Sequence, residues 1–493
     1  MIRHSAVPRI VTRAILAALL GPAVRTVGAQ LTLSDALRQA DQSAYGNRVA
    51  RGNAAAQEGL AIAPLQGILG NIRVEGGYVR TTDPIGVFGD RLRQGIITQA
   101  DFDPARLNHP GAMGNYQTDV VAEQPLFNAD AWAARTAANH GASAGRAVAT
   151  WARLSARVDV IRAYYGAVLA SERAGTLQAA SRSAHAHVAQ TEAMVRQGLV
   201  TRSDALLASV RAGDIDTQLA EADGSVETAR RQLAIVLGRP QADLVDIVVL
   251  HALPSADRIR AVVSHDSSSS AEPRAEGRAG VRADVRAALE GSAAARSDAV
   301  RARATYLPRI NSFARYDWNS TRGLYVGERN WTVGVMATWN PFGSVTELSD
   351  VRATSGRAAV ARAQAEAAEA QATLEVAQTR IALSVALIRL RIAEQSVHQS
   401  AEAHRIVSRK YEGGLAGIVE LLDAQAAETQ SALGLSAARY SVIVAAAENC
   451  RALGGDPATL AVLDEGNNAP MVIAAPSRDS PSSATKSDAQ RPR

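Results

Sequence analysis

Residues 411–424 read Tyr-Glu-Gly-Gly-Leu-Ala-Gly-Ile-Val-Glu-Leu-Leu-Asp-Ala, and an earlier stretch, 197–208, reads Gln-Gly-Leu-Val-Thr-Arg-Ser-Asp-Ala-Leu-Leu-Ala. Each is a Gly-Leu break followed by an acidic residue and a Leu-Leu pair. The two lie 216 residues apart, from Gly198 to Gly414, and the same offset relates Leu237-Gly238 to Leu453-Gly454. Phe127 and Phe342, each close to a proline, differ by 215. Further upstream Leu69–Tyr78 resembles Leu307–Tyr316 at an offset of 238, because the first half carries extra residues in a Gly-, Pro-, Asp- and Asn-rich loop, 79–115. The chain is an internal repeat, each half reading helix, strand, loop, strand, long helix, turn, helix.

The long helices are read from what is missing. Residues 128–197 and 343–411 hold no proline beyond the first turn, and at 1.5 Å per residue seventy helical residues reach roughly 105 Å. Ile381, Val385, Ile388 and Ile392 recur at spacings of four, three and four, a coiled-coil-like stripe, and Ile161, Tyr165 and Val168 do the same in the first half. Each helix turns at Gly198 or at Gly413-Gly414 and returns as a partner over 201–238 or 417–454. Residues 31–63 predict a further helix, capped by Ser34.

Between the helices the period changes to two. Trp331, Val333, Val335, Ala337 and Trp339 alternate with Thr332, Gly334, Met336 and Thr338. An apolar face bounded by Trp at both ends is what a lipid-facing strand with aromatic girdles shows; a half-buried strand of a soluble sheet shows the same alternation. Strands near 68–80, 115–125, 307–318 and 330–340 have the length a tilted strand needs to cross a bilayer. Four strands cannot enclose an open lumen, and free edges are forbidden in lipid. If the strands span a membrane, several copies must share one barrel, and three would give twelve strands.

Composition agrees. Aromatic residues are 4% of 493 while apolar residues are 47%, much of it Ala, which suits close-packed helices. The net charge of +5 comes from Arg scattered among Glu and Asp on helix faces, so a nucleic-acid partner is not indicated. Cys450 is the sole cysteine, which excludes an internal disulfide. Arg3, His4, Arg9 and Arg13, the apolar run 14–20, and Val27-Gly28-Ala29 predict a signal peptide, residues 1–29, and export. Downstream of it the organisation reads as a first repeat, 30–240; a linker or equatorial segment, 241–280, with a Ser-rich stretch after His265; a second repeat, 281–456; and a disordered tail, 457–493. His185 and His187, two apart on a helix, point away from each other, so no metal site is expected. No motif points to a catalytic or cofactor-binding residue.

Four passages together resemble the TolC family of outer-membrane efflux proteins: Leu31–Leu37 (LTLSDAL), Gln124–Phe127 (QPLF), Arg282–Ala287 (RADVRA, with Ala283 where the family usually has Pro) and Tyr411–Ala424. The resemblance implies a mainly α protein with a membrane β-barrel: long α-helical hairpins forming a periplasmic α-barrel, plus four strands per protomer of a shared 12-stranded trimeric β-barrel. It implies a homotrimer in outer-membrane lipid, the exit duct of a tripartite efflux pump or a type I secretion system. It also implies a periplasmic adaptor as partner, an inner-membrane transporter of the RND, ABC or MFS type, and an extracellular loop at 79–115. By position, Glu420 and Asp423 form the pore constriction, and Asp204 and Tyr411 a latch whose basic partner is absent, Ala416 standing in the place of Arg. Gly198, Leu199, Gly414 and Leu415 form adaptor-docking tips, and Trp331 and Trp339 the aromatic girdle. The reading from another class is a soluble periplasmic coiled-coil adaptor, which one hairpin flanked by β-rich halves would signal; two hairpins speak against it. An enzyme ranks third, for want of any polar constellation in a globular core.

Overall fold

The structure is a computed structural model that describes residues 31–239, 252–269, 282–342 and 345–464. The expected signal peptide and most of the expected tail lie outside the described residues. The first half comprises α1 (Leu33–Ser43), α2 (Tyr45–Leu60), a single turn α3 (Gln66–Leu69), β1 (Asn71–Thr81), α4 (Pro84–Arg93), α5 (Pro104–Asn108), β2 (Met113–Phe127), α6 (Ala129–Arg196) and α7 (Arg202–Val236). After α8 (Ala256–Ser269) the plan repeats as α9 (Ala283–Ala304), β3 (Arg309–Ser320), β4 (Glu328–Thr338), α10 (Val345–Glu412) and α11 (Ile418–Ala452). The helices α6 and α10 are both 68 residues long, and α7 and α11 both 35. The sequence repeat is thus a pair of hairpins with matched arms, each long arm spanning about 100 Å.

The shorter partners divide each long arm between them. Helices α7 and α11 return along the far halves of α6 and α10, α9 packs against both long helices in their near halves, and α2 lies on α6. Small residues make this packing possible: Ala208, Ala212 and Ala222 are buried on α7, and Ala365 and Ala372 on α10. The core sits halfway along α6, where Ile161, Tyr164 and Tyr165 are fully buried against Leu33, Leu237 and Ile443. Here Asp464 accepts hydrogen bonds from the Tyr165 hydroxyl (2.9 Å) and the Leu33 amide (2.8 Å), tying the end of the described chain to its start. Asp464→Ala leaves both donors buried and unmatched. It is expected to cost about 1–3 kcal/mol, read as an earlier thermal unfolding midpoint of the purified protein; an unchanged midpoint would remove this tie from the account.

A second tie closes the second repeat and reaches the first through one ring. Arg282, just before α9 and 9% exposed, donates to Asp284 (2.8 Å), to Glu375 on α10 (2.5 Å) and to the Ala452 carbonyl (3.2 Å). Its guanidinium lies 4.6 Å from the centre of the Trp151 ring, and Arg451 lies 5.0 Å from the same centre while pairing with Glu375 (2.7 Å).

The structure corrects several expectations. The helix expected over 31–63 breaks at Ala44, whose extended backbone (ψ 132°) separates α1 from α2, and its cap is Thr32, not Ser34. The loop 79–115 holds α4, α5 and a 3-10 turn at Gln99–Phe102. Helix α8 runs into the Ser-rich stretch as far as Ser269. The tail does not start at residue 457: Pro457–Leu463 is a 3-10 helix with Leu460 and Leu463 buried. The apolar stripe on α10 does not face its own hairpin. Ile381, Val385, Ile388 and Ile392 are 40–63% exposed, and Leu383, Ala386 and Leu390 are the buried residues there.

The four strands form one antiparallel sheet in the order β1-β2-β3-β4, with an irregularity between Pro125 and Phe127 where β2 bends into α6. Both outer strands, β1 and β4, have an unpaired edge among the described residues.

Candidate pore, tip and membrane surfaces

The register sorts every strand residue to one of two faces. Tyr316 pairs with Trp331 and Val120, and Val120 with Val74, so these four share a face. With it go Ile72, Ala122, Ala314, Val333 and Val335, while Tyr78, Tyr116 and Trp318 collect towards the loop end. The Tyr78–Tyr116 and Tyr316–Trp318 ring centres are each 4.7 Å apart. Trp331 is 74% exposed on this face, and Trp339, one residue past β4, is 61% exposed with its indole N–H on the Tyr306 carbonyl (3.0 Å).

The opposite face is charged and paired within itself. Arg315 meets Asp119 at 2.6 Å, Arg73 meets Glu75 at 2.8 Å, and Asn319 and Asn330 both donate to Asp317. A soluble sheet would bury one face against a core. Here the charged side is satisfied by its own ion pairs and the apolar side stands open. These charges alternate with the apolar residues along each strand, a period-two signal that the sequence carries beside the apolar one.

At the far end of the hairpins both turns have one geometry. Gly198 (φ 73°) donates to the Val195 carbonyl and Leu199 to that of Met194; Gly414 (φ 71°) donates to Tyr411 and Leu415 to Lys410. This is a Schellman end, in which the left-handed position takes Gly because a side chain there is strained. It leaves Leu199 and Leu415 as the projecting residues, 66% and 82% exposed.

Glu420 and Asp423 stand on the exposed face of the first turns of α11, opposite buried Ile418, Leu421 and Leu422, and neither has an ion-pair partner among the described residues. Tyr411, only 4% exposed, packs in that apolar cluster with its hydroxyl 3.4 Å from Thr191 of α6. Asp204 is not brought to Tyr411. Its carboxylate closes a capping box on its own helix, accepting from the Thr201 amide (2.9 Å) and hydroxyl (2.8 Å). Ala416 packs against the Tyr411 cluster.

Along the same hairpins, His187 of α6 meets His404 of α10 edge to face at 6.4 Å, and both Nε2 atoms are buried without a hydrogen-bond partner. The other nitrogen of His404 bonds Glu428 of α11. His185 instead pairs with Asp216 (2.9 Å). Burial first, and His404 second, hold the His187 pKa below the ordinary 6.5. Protons therefore bind the unfolded segment before the packed one as pH falls. The packing keeps its stability above pH 6.5 and loses it on acidification below that value. The expected result is faster protease cleavage at the tips at pH 5.5 than at 7.5, a difference that His187→Gln removes; equal cleavage at both values would contradict it.

No described helix is long and apolar enough to cross a membrane. The profile of the outer membrane efflux protein family matches residues 93–239 and 280–455. No curated protein matches the sequence. Several solved structures do match in fold. The CmeC outer membrane channel of Campylobacter jejuni is 15% identical with a TM-score of 0.71, covering 88% of this chain and 89% of its own. The outer membrane protein VceC of Vibrio cholerae is 19% identical with a TM-score of 0.70, covering 86% and 96%. The MtrE outer membrane channel of Neisseria gonorrhoeae, in its open state, is 20% identical with a TM-score of 0.66, covering 86% and 89%. With the profile spanning more than half of the residues on this two-faced sheet and paired long hairpins, the chain belongs to the outer membrane efflux protein family.

Proposed function

We propose that three copies of this chain close a twelve-stranded barrel in the outer membrane and extend a helical tube into the periplasm, as the exit duct of an efflux pump or a type I secretion system. The observation that carries the reading is the two-faced sheet with open edges, mounted on helices about 100 Å long. Unpaired edges are not tolerated in lipid, and joining β4 of one copy to β1 of the next removes them. The exposed stripe Ile381, Val385, Ile388 and Ile392 supports it too, as a face left for a neighbouring copy. A soluble adaptor would have no use for an outward apolar sheet face.

Residues 1–29 direct export in this reading, and Trp331 and Trp339 mark the two membrane interfaces. Leu199 and Leu415, set out by Gly198 and Gly414, dock a periplasmic adaptor that couples the duct to an inner-membrane transporter. Glu420 and Asp423 from three copies make a ring of six carboxylates at the narrowest point, which favours cations. Among the described residues no basic side chain of the same protomer pairs with Asp204, which instead bonds Thr201, so the latch is read as forming between protomers, with Arg202 or Arg409 as its basic side and Tyr411 as the packed side. Unchanged conductance in Asp204→Ala would remove the latch.

The reading is tested on the purified full chain. Native mass spectrometry should give a trimer, and planar bilayers with a salt gradient should give a cation-preferring reversal potential. That preference is expected to fall towards zero in Glu420→Gln/Asp423→Asn. A monomer without channel activity defeats the duct; a channel whose selectivity ignores the double substitution defeats the ring alone.

A further inference from the structure

We infer that the segment between β1 and β2 is a folded cap held on the charged, inward face of the sheet, and that it makes a second, apolar constriction at the extracellular mouth of the duct. This rests on the shared-barrel reading above.

The attachment is polar and buried. On β2 the Asn115 side chain, 2% exposed, donates to Asp90 of α4 (3.2 Å) and to Asn319 of β3 (2.8 Å), and Gln94 donates to Asn115 (2.8 Å). Asn115 and Asn319 belong to the same face as Asp119, Arg315 and Asp317 by register. Past α4, Gly95 lies so close to the Glu328 side chain of β4 that an added Cβ would stand 3.1 Å from it, and Glu328 alternates onto the inward face with Asn330. The cap therefore reaches across three strands on the lumen side.

Its own structure is fixed as well. Arg91 pairs with Asp101, which is 7% exposed and accepts from the Thr98 amide and hydroxyl; those bonds hold its pKa below the ordinary carboxylate value. By contrast the β3–β4 loop turns outward, with Leu324 against Gly76 and Tyr325 beside Trp318 on the aromatic face.

The side of α4 turned away from the sheet follows from helical geometry. At 100° per residue, Val87, Asp90 and Gln94 fall together, and Ile85 and Leu92 fall nearly opposite them. The burial agrees: Val87 is 3% exposed, whereas Ile85 is 84% and Leu92 52%. Apolar side chains on the lumen side of a closed barrel have only the same side chains of the other two copies to meet. Three caps thus bring Ile85 and Leu92 round the axis, and a narrow apolar passage resists hydrated solutes by dewetting. Passage through the mouth then selects by size and polarity, separately from the carboxylate ring at the tips.

The test uses the full chain in whole cells and a membrane-impermeant maleimide on a short polyethylene glycol, applied from outside. Thr332→Cys places a thiol on the inward face below the cap, Val333→Cys places one on the outward face, and Cys450 is buried. Thr332→Cys is expected to label slowly with the cap intact. It should label at least about tenfold faster when a Gly-Ser link replaces residues 84–111, or when Ile85→Asp/Leu92→Asp hydrates the passage with the cap's own bonds kept. If neither change speeds labelling, the cap is not a constriction, while the duct reading stands. If Val333→Cys labels and Thr332→Cys does not in any variant, the faces are reversed and the duct reading falls with the cap.

Discussion

Arg282→Ala is expected to lower the stability of the assembled helices by about 3 kcal/mol, at the low end for breaking a buried ion pair because Glu375 keeps Arg451. Burial works against the guanidinium charge, yet Asp284 and Glu375 outweigh it and hold its pKa above the ordinary value. Removing the group strands Asp284 and frees the Ala452 carbonyl, and it takes one of two cations off the Trp151 ring. Because the residue joins the start of α9 to α10 and the end of α11, the ion-pair loss falls on the second repeat, and the Trp151 ring carries part of it to α6 of the first. Arg282→Lys should recover only part of it, since an ammonium cannot hold two carboxylates, a carbonyl and a ring face in one plane. Thermal unfolding of the purified protein reads the ranking. A midpoint for Arg282→Ala equal to that of the parent would show that the tie contributes nothing.

The second large effect separates the two faces of the sheet. Val335→Arg puts a charge at mid-strand on the outward face, at a cost of about 2–4 kcal/mol near the middle of a bilayer. Met336→Arg, the next residue, puts the same charge on the face that already carries Arg73 and Arg315. Outer-membrane yield of trimer should collapse for the first and stay near the parent level for the second. Equal losses would mean that both faces are buried, and equal yields that neither meets lipid. Either result counts against the barrel.

Much of this architecture is written in short-range patterns. The long helices end within about two residues of where the sequence puts them, because the Gly-Leu breaks at 198 and 414 are true chain reversals. The strand faces follow from alternation. What the sequence reading missed has two physical causes. The short helices at 84, 104 and 457 each begin Asp-Pro: Asp83, Asp103 and Asp456 accept from backbone amides two or three residues on, with Pro in the first turn. That is an ordinary helix-start signal, and it competes with the loop signal that Pro, Gly and Asp give in the same stretches. The ties through Asp464, Arg282 and Asn115 are different. They join residues 431, 93 and 204 positions apart, and no local pattern announces a partner at that distance. Among the candidate sites, Leu199 and Leu415 project and Glu420 and Asp423 are exposed. Asp204, three residues after Thr201, also satisfies its own helix start.

The two unpaired strand edges carry a kinetic consequence. The hairpins are made of contacts within one chain, so they can form at any dilution. The sheet cannot complete its hydrogen bonding alone, and lipid offers no substitute partner. In the proposed shared barrel, arrival in the bilayer is therefore a higher-order reaction: its rate should fall steeply with dilution, and a lone copy should accumulate with its strands outside the membrane. Mature duct per cell should accordingly rise faster than in proportion to synthesis, and a copy with a capped edge should poison its neighbours rather than merely fail itself.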